Sequence, residues 1–264
     1  MAKINALHSV GRTLDEPLVR CIGPADLRDA LVAGIEDFKA MPTHAFFIVL
    51  IYPVLGLVLA RLIFGSDVLP LLFPIMSGFA LVGPFAAIGL YEISRLREAG
   101  HEFTLSHAAR ILRSPAIGSI VALGVLLLVV FVTWLITAQL LYRATFGTYT
   151  PVSVSGFLHE VLTTGRGWAL ILAGNLLGVV FSAVVLAISV VSFPMLLDRD
   201  VSAAAAVRTS IRAVAANPGT MALWGLIVAG ALVLGFLPLF FGLAVVLPVL
   251  GHATWHLYRR VVAS

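Results

Sequence analysis

The stretch "LLDRDVSAAAAVRTSIRAVAANPGTM", residues Leu196–Met221, decides how the rest of the chain is interpreted. It has the pattern of a short, basic, alanine-rich helix, yet it separates two long apolar runs. Asp200 or Ser202 is suited to cap the start of this helix. Pro218 marks its end, because the residue before a proline disfavours helical dihedral angles. The pattern therefore predicts a helix at the membrane surface that joins two membrane-spanning hairpins.

The composition excludes an ordinary soluble protein. The 264 residues are 60% hydrophobic and only 11% charged, whereas a soluble domain carries about 25% charged residues. The net charge of +4 comes from basic residues that lie between the apolar runs, so membrane topology explains it better than nucleic-acid binding does. A single cysteine, Cys21, rules out an intramolecular disulfide within this sequence. We expect an integral membrane protein that does not bind nucleic acid.

Six runs are long and apolar enough to cross a membrane, which takes about 20 mainly apolar residues. The last charge-free region is too long for one span, and "GFLP", Gly235–Pro238, offers a turn that divides it. The predicted spans are Thr43–Phe64, Leu69–Tyr91, Ala116–Leu141, Trp168–Leu196, Gly219–Phe236 and Leu239–Tyr258.

The distribution of basic residues predicts the orientation of the spans. With six spans, most of the 17 lysines and arginines fall on the side that holds both ends of the chain. The positive-inside rule places that side in the cytoplasm.

A repeated unit precedes each odd-numbered span. The segments Pro24–Pro42, Thr104–Pro115 and Asp198–Pro218 each predict an amphipathic helix that ends at a proline. Each helix leads into a hairpin of two spans, so we expect an all-α fold of three such units. In the first helix the predicted apolar stripe is Leu27, Leu31, Ile35 and Phe38, and the acidic residues Asp26, Asp29, Glu36 and Asp37 are predicted to point away from it. In the third helix the predicted stripe is Val207, Ile211 and Val214.

The predicted domain organisation follows from this unit. Residues 1–23 form an N-terminal tail, and residues 24–264 form one membrane domain. Its hairpins cover about 43–91, 116–196 and 219–258.

Ionisable groups inside spans usually mark ion paths or proton relays. None of the six predicted spans has Asp, Glu or Lys near its centre, which argues against an ion-coupled pump. His252 and His256 are four residues apart and share a helical face, so they could bind a metal or the edge of a haem. We favour the alternative that they are interfacial histidines beside Trp255 and Tyr258, and we expect no cofactor.

Other polar and small residues suggest contacts rather than catalysis. Glu92 is spaced to pair with Arg95 or Arg97, and these residues, with Arg208 and Arg212, are alternatively a cytoplasmic docking surface for a partner. The candidates for helix packing or a cavity are Gly78, Gly83 and Pro84 in the second span and Gly174 and Gly178 in the fourth. The sequence contains no Walker loop, HExxH, GxSxG or dinucleotide-binding motif.

Four stretches together resemble an uncharacterised family, the predicted bacterial integral membrane proteins with a DUF2189 domain. The resemblance implies a six-span protein of the bacterial inner membrane, and it brings no catalytic residues with it. Some members carry cytochrome c oxidase labels, but the metal-ligand histidines of a catalytic oxidase subunit are absent here. The stretches are "DLRDALVAGIEDF" (Asp26–Phe38), "IYPVLGLVL" (Ile51–Leu59), "SGFALVGPFAAIGLYEISRLREAG" (Ser77–Gly100) and "SFPMLLDRDVSAAAAVRTS" (Ser192–Ser210).

We therefore expect a non-enzymatic accessory or scaffold protein of the inner membrane. It would contact lipid and other integral membrane proteins, or a second copy of itself, beside a respiratory or transport complex. The alternative is a channel or carrier for a small neutral or amphiphilic solute or lipid. A haem- or metal-binding subunit that uses the two histidines is a third hypothesis.

Overall fold

The computed structural model describes residues 17–41, 87–101, 114–149, 153–237 and 242–263, together with the single positions 74, 75, 83 and 151. The first predicted span, most of the second and most of the Thr104–Pro115 helix lie outside the described residues. The helices are α1 Pro24–Ala40, α2 Ile88–Glu98, α3 Ile117–Phe146, α4 Val154–Thr163, α5 Gly165–Ser189, α6 Ser192–Asp198, α7 Ala203–Ala216, α8 Pro218–Phe236 and α9 Leu243–Val261.

Three described helical stretches are long and apolar enough to cross a membrane. They are Ile117–Phe146, Gly165–Asp198 and Pro218–Gly235, with mean hydropathies of 2.8, 2.6 and 1.7. They coincide with the third, fourth and fifth predicted spans. The described part of the chain therefore confirms an all-α membrane protein, and its apolar runs form helices because a bilayer leaves the backbone no other hydrogen-bond partners.

The last predicted span is helical from Leu243, where α9 begins, but α9 is not one of these apolar stretches. The second half of α9, which continues past the predicted end at Tyr258, carries His252, His256, Arg259 and Arg260, and most of its side chains from Leu250 onward are buried against other helices. The six-span arrangement as a whole therefore remains a prediction.

Helices α1, α2 and α6 pack against α9, and α7 packs against α6. These four helices and the second half of α9 form a compact layer, which we call the cap. The start of α3, the end of α5 and the start of α8 all lead into the cap. Its core contains large buried side chains from several helices, and α1 makes its main contact with α9. The largest are Phe193, Met195, Leu196, Trp255 and Tyr258.

The buried face of α1 differs from the predicted stripe. Leu27, Ala30, Gly34 and Asp37 are buried, whereas Ile35 is exposed. The prediction that Asp37 turns away from the apolar face was wrong. Small residues let α1 approach α9 closely, and that approach sets which face is covered.

Helix α7 shows the same effect. Its buried residues are Ala206, Thr209, Ser210 and Ala213, while Ile211, predicted in the stripe, is exposed. The predicted cap of this helix is confirmed, since the Ser202 hydroxyl accepts a hydrogen bond from the Ala205 N–H at 3.2 Å. The proline joint is confirmed as well, because α8 begins at Pro218.

Part of the predicted N-terminal tail packs against the cap. Val19 and Val262 form an isolated antiparallel bridge, and the Arg20 N–H donates to the Val261 carbonyl at 2.7 Å. The Asn217 side chain accepts from the Ile22 N–H at 2.8 Å and donates to the Arg20 carbonyl at 3.0 Å. These bonds fix the segment before α1 to both α9 and the joint between α7 and α8.

The link between α3 and α5 contains the short helix α4. The Ser153 hydroxyl accepts from the Gly156 N–H at 3.1 Å and begins the helix. None of the α4 residues is buried. Helix α4 therefore adds a surface element at the end of the spans opposite the cap.

Candidate functional site

The most polar buried cluster in the described residues centres on Asp37 of α1. Its Oδ2 atom accepts hydrogen bonds from Ser94 Oγ at 2.6 Å and from His256 Nε2 at 2.8 Å. Its Oδ1 atom accepts one from the Arg97 guanidinium. The carboxylate is only 5% exposed, so three helices meet at a single buried charge.

The hydrogen bonds assign the protons of this cluster. A serine hydroxyl has one proton, and Ser94 gives it to Asp37. The 2.8 Å contact between Ser94 Oγ and His252 Nδ1 then requires His252 to donate from Nδ1. A neutral His252 is therefore protonated at Nδ1 and has a lone pair at Nε2. That Nε2 atom is buried and has no hydrogen-bond partner among the described residues.

The environment of Asp37 favours its charged form. Burial alone would raise the pKa of this carboxyl, but the hydrogen bonds from His256 and Ser94 outweigh burial, and the pKa lies below its usual value of 3.8. Asp37 is thus a carboxylate at neutral pH. Removing its donors would leave a buried charge without compensation, which is strongly destabilising.

Ion pairs and hydrogen bonds surround this cluster and join α9 to α1, α2 and α6. Arg260 reaches Asp26 at 3.2 Å, and Arg259 reaches Glu98 at 3.0 Å. Because these pairs are partly exposed, each adds little stability alone. The other contacts of this kind are Arg260–Asp29 at 3.3 Å, Arg259–Asp198 at 3.4 Å, Tyr258–Asp198 at 2.6 Å and Trp255–Glu98 at 3.0 Å. Together these contacts fix the position of α9.

The structure brings the two candidate histidines together on one carboxylate. His252 Nδ1 and His256 Nε2 are both engaged in hydrogen bonds, so a metal bound by both would use His252 Nε2 and His256 Nδ1. Within the described ranges, no group of three His, Cys, Asp or Glu side chains is arranged to hold a metal ion. The chemistry that this arrangement supports directly is hydrogen bonding between helices.

The candidate docking residues fall into two sets. Glu92 is buried and forms a two-point ion pair with Arg95, at 2.7 and 2.8 Å, as the spacing predicts. Arg97 contacts Asp37 and so belongs to the cap. Arg208 and Arg212 are exposed on α7. A docking role for any of them remains a prediction, and the geometry of Glu92 favours the ion-paired end of a helix.

The small residues of the predicted packing motif face a neighbouring span. A Cβ added at Gly174 would lie 3.7 Å from a Leu141 methyl, and one added at Gly178 would lie 3.7 Å from the Trp134 ring. Both distances are ordinary van der Waals contacts, so the motif allows α5 to lie against α3. At Gly83, an added Cβ would meet no atom of the described residues within 4 Å. Gly78 and Pro84 lie outside the described residues.

Sequence reasoning missed Asp37 and Ser94 as members of a buried cluster. The pattern placed Asp37 on the polar side of α1, and its partner His256 is 219 residues away along the chain. One signal was available: Gly34 lies three residues before Asp37 and marks a face where another backbone comes close.

Three apolar helices ending in a shared polar cap define an α-helical integral membrane protein. Comparison with family models agrees: residues 71–198 match DUF2189, a family described as predicted integral membrane protein. This match covers just under half of the chain and is to the family that the resemblance predicted. Comparison with curated proteins found no match, and comparison with solved structures found none either.

Proposed function

We propose that this protein is a non-enzymatic accessory or scaffold protein of the bacterial inner membrane. The observation that supports this proposal is a contrast between the two parts of the structure. The polar side chains around Asp37 in the cap are hydrogen-bonded to one another, whereas the apolar helices are largely uncovered. In the most apolar stretch of each, only 22%, 33% and 17% of the residues are buried.

The uncovered faces are rich in large apolar side chains. Leu176 on α5 is 68% exposed, and Leu226 on α8 is 70% exposed. Lipid tails cover such faces, and so do helices of another membrane protein, because association within a bilayer depends on packing rather than on exclusion of water. Other integral membrane proteins or a second copy of this chain are therefore the partners that we propose.

The arginines of the cap support a cytoplasmic location for it. Arg95, Arg97, Arg259 and Arg260 all belong to the cap, and cytoplasmic loops carry an excess of Lys and Arg. With six spans, both ends of the chain would lie on this side.

Site-specific photo-crosslinking in native membranes tests the scaffold proposal. A photoreactive phenylalanine analogue is placed at Leu176 or Leu226, with Leu127 as the matched control because it is fully buried on α3. We expect the analogue at one or both exposed positions to form an adduct of discrete mass with another protein chain. The analogue at Leu127 should form no adduct with another chain. Exposed positions that crosslink to lipid alone would contradict the proposal.

A second candidate function is a channel or carrier for a small neutral or amphiphilic solute or lipid, since no atom of the described residues lies within 4 Å of a Cβ added at Gly83. On this hypothesis Gly83→Leu would obstruct a pathway along the second span, and an unchanged melting temperature would show that the variant folds. Gly118→Leu is the matched control, because no described atom lies within 4 Å of a Cβ added at that position either. Solute flux into liposomes is measured for both variants. If Gly83→Leu reduces the flux and Gly118→Leu does not, the channel or carrier is favoured over the scaffold. Equal flux in the two variants would exclude a pathway at Gly83.

A further inference from the structure

An open groove of about 340 Å³ runs between α3 and α7 at the edge of the cap. Its walls are mainly apolar. Side chains from the two helices line it, among them Ala122, Leu126, Ala203, Ala204, Val207 and Arg208.

The groove lies at the depth where acyl chains begin. Ala122 and Leu126 follow the start of α3 by five and nine residues, which corresponds to roughly 8 and 14 Å along a helix. The neighbouring residues Val121 and Val125 are exposed on the same span. Because α3 is long and apolar enough to cross a membrane, an acyl chain can reach the groove along this exposed face.

The end of the groove at α7 is positively charged. Arg208 lines the groove, and its side chain is exposed. An arginine guanidinium can bind two oxygens of one phosphate. The first turn of α7 adds positive potential, because Ala203 and Ala204 are at the N-terminus of a 14-residue helix. An apolar channel with a cationic end complements a lipid that has an acyl chain and an anionic headgroup.

We propose that this groove binds an anionic glycerophospholipid from the leaflet that adjoins the cap. One acyl chain lies along Ala122, Leu126 and Ala204, and the phosphate contacts Arg208. Small side chains on both helices create the channel, since a larger residue at Ala204 would fill it. The bound lipid would hold α7 against α3 and connect the cap to the bilayer.

Lipid binding to the purified full-length chain in a neutral detergent tests this proposal. Native mass spectrometry measures adducts with phosphatidylglycerol and with phosphatidylcholine of identical acyl chains. We expect the wild-type protein to prefer phosphatidylglycerol. Arg208→Gln should weaken that binding about tenfold, which corresponds to one charge-assisted contact.

Arg212→Gln is the matched control, because it removes the same charge from the same exposed face of α7 without lining the groove. It should leave the preference unchanged. Ala204→Phe should weaken the binding of both lipids, and the melting temperature of each lipid-free variant shows that it folds. Should Ala204→Phe fail to fold, the comparison of the two arginine variants decides alone. Equal effects of Arg208→Gln and Arg212→Gln, or equal wild-type affinity for the two lipids, would overturn the proposal.

Discussion

Gly34 is the position where α1 and α9 approach most closely, and Gly34→Ala should loosen the cap. A Cβ at this position would lie 2.6 Å from the backbone nitrogen of Ala253, 2.8 Å from its Cβ and 2.9 Å from its Cα. All three distances are below the 3.0 Å that real Cβ contacts respect. Since two of these atoms belong to the backbone, no side-chain rotation relieves the clash, and the two helices must separate.

The expected cost follows from two effects. Overpacking of this kind typically costs about 1–3 kcal/mol. Separation also lengthens the 2.8 Å contact between Asp37, one turn after Gly34, and His256, and charge-assisted hydrogen bonds contribute about 1.5–3 kcal/mol. Against this, alanine is a better helix former than glycine by about 1 kcal/mol. Together these terms predict that Gly34→Ala lowers the free energy of unfolding by roughly 1.5–5 kcal/mol.

The assay is unfolding in mild detergent, followed by circular dichroism, together with hydrogen exchange of the α1 amides. Gly118→Ala is the matched control: it is also a helical glycine, but an added Cβ meets nothing within 4 Å, so stability should be unchanged or slightly higher. If Gly34→Ala proved as stable as Gly118→Ala, with unchanged exchange in α1, the close approach of α1 and α9 would be refuted.

Further predictions concern the buried cluster and the spans. Asp37→Asn should destabilise the cap by about 1.5–3 kcal/mol, because it removes the negative charge from the hydrogen bonds that Asp37 accepts; Asp29→Asn, on an exposed carboxylate, should change unfolding by less than about 0.5 kcal/mol. The pKa of Asp37 in the folded protein lies below 3.8, its ordinary value in an unfolded chain. The stability that the carboxylate contributes is therefore fully present above pH 3.8 and is lost as the pH falls through the lower pKa of the folded state. When the free energy of unfolding is measured against pH, this loss should appear in the wild type and not in Asp37→Asn. The titratable and charged groups that face the carboxyl are His252, His256 and Arg97. Identical pH profiles for the two proteins would contradict a charged Asp37 in the folded cap. Gly178→Leu should separate α5 from α3 and lower the melting temperature, whereas the exposed change Leu176→Ala should not, and equal melting temperatures would argue against that contact. The visible spectrum of protein purified from membranes should show no Soret band, and a Soret band that His252→Ala abolishes would establish haem binding instead.

The elements that depend on local pattern could be predicted, and those that depend on distant pairing could not. The start of α3 was predicted within one residue, because a long apolar run that follows Pro115 is expected to begin a new helix there. Pro218 marked the start of α8 in the same way. The buried face of α1 was not predicted. Sequence reasoning gives weight to large side chains, whereas the contact with α9 forms at Ala30 and Gly34, where small size is what matters. Only the completed fold shows that Asp37 lies on that face.

The pairing of α1 with α9 has a consequence for how the protein is made. Helix α1 ends at Ala40, and its main partner begins at Leu243, so at 5–20 residues per second roughly 10–40 s of synthesis separate the two. During that interval the apolar helices α3, α5 and α8 are made, while the carboxylate of Asp37 has no His256 to accept from. The cap can therefore assemble only after the chain through α9 has been synthesised. A product truncated before α9 keeps an uncovered face on α1, which cellular quality control can recognise.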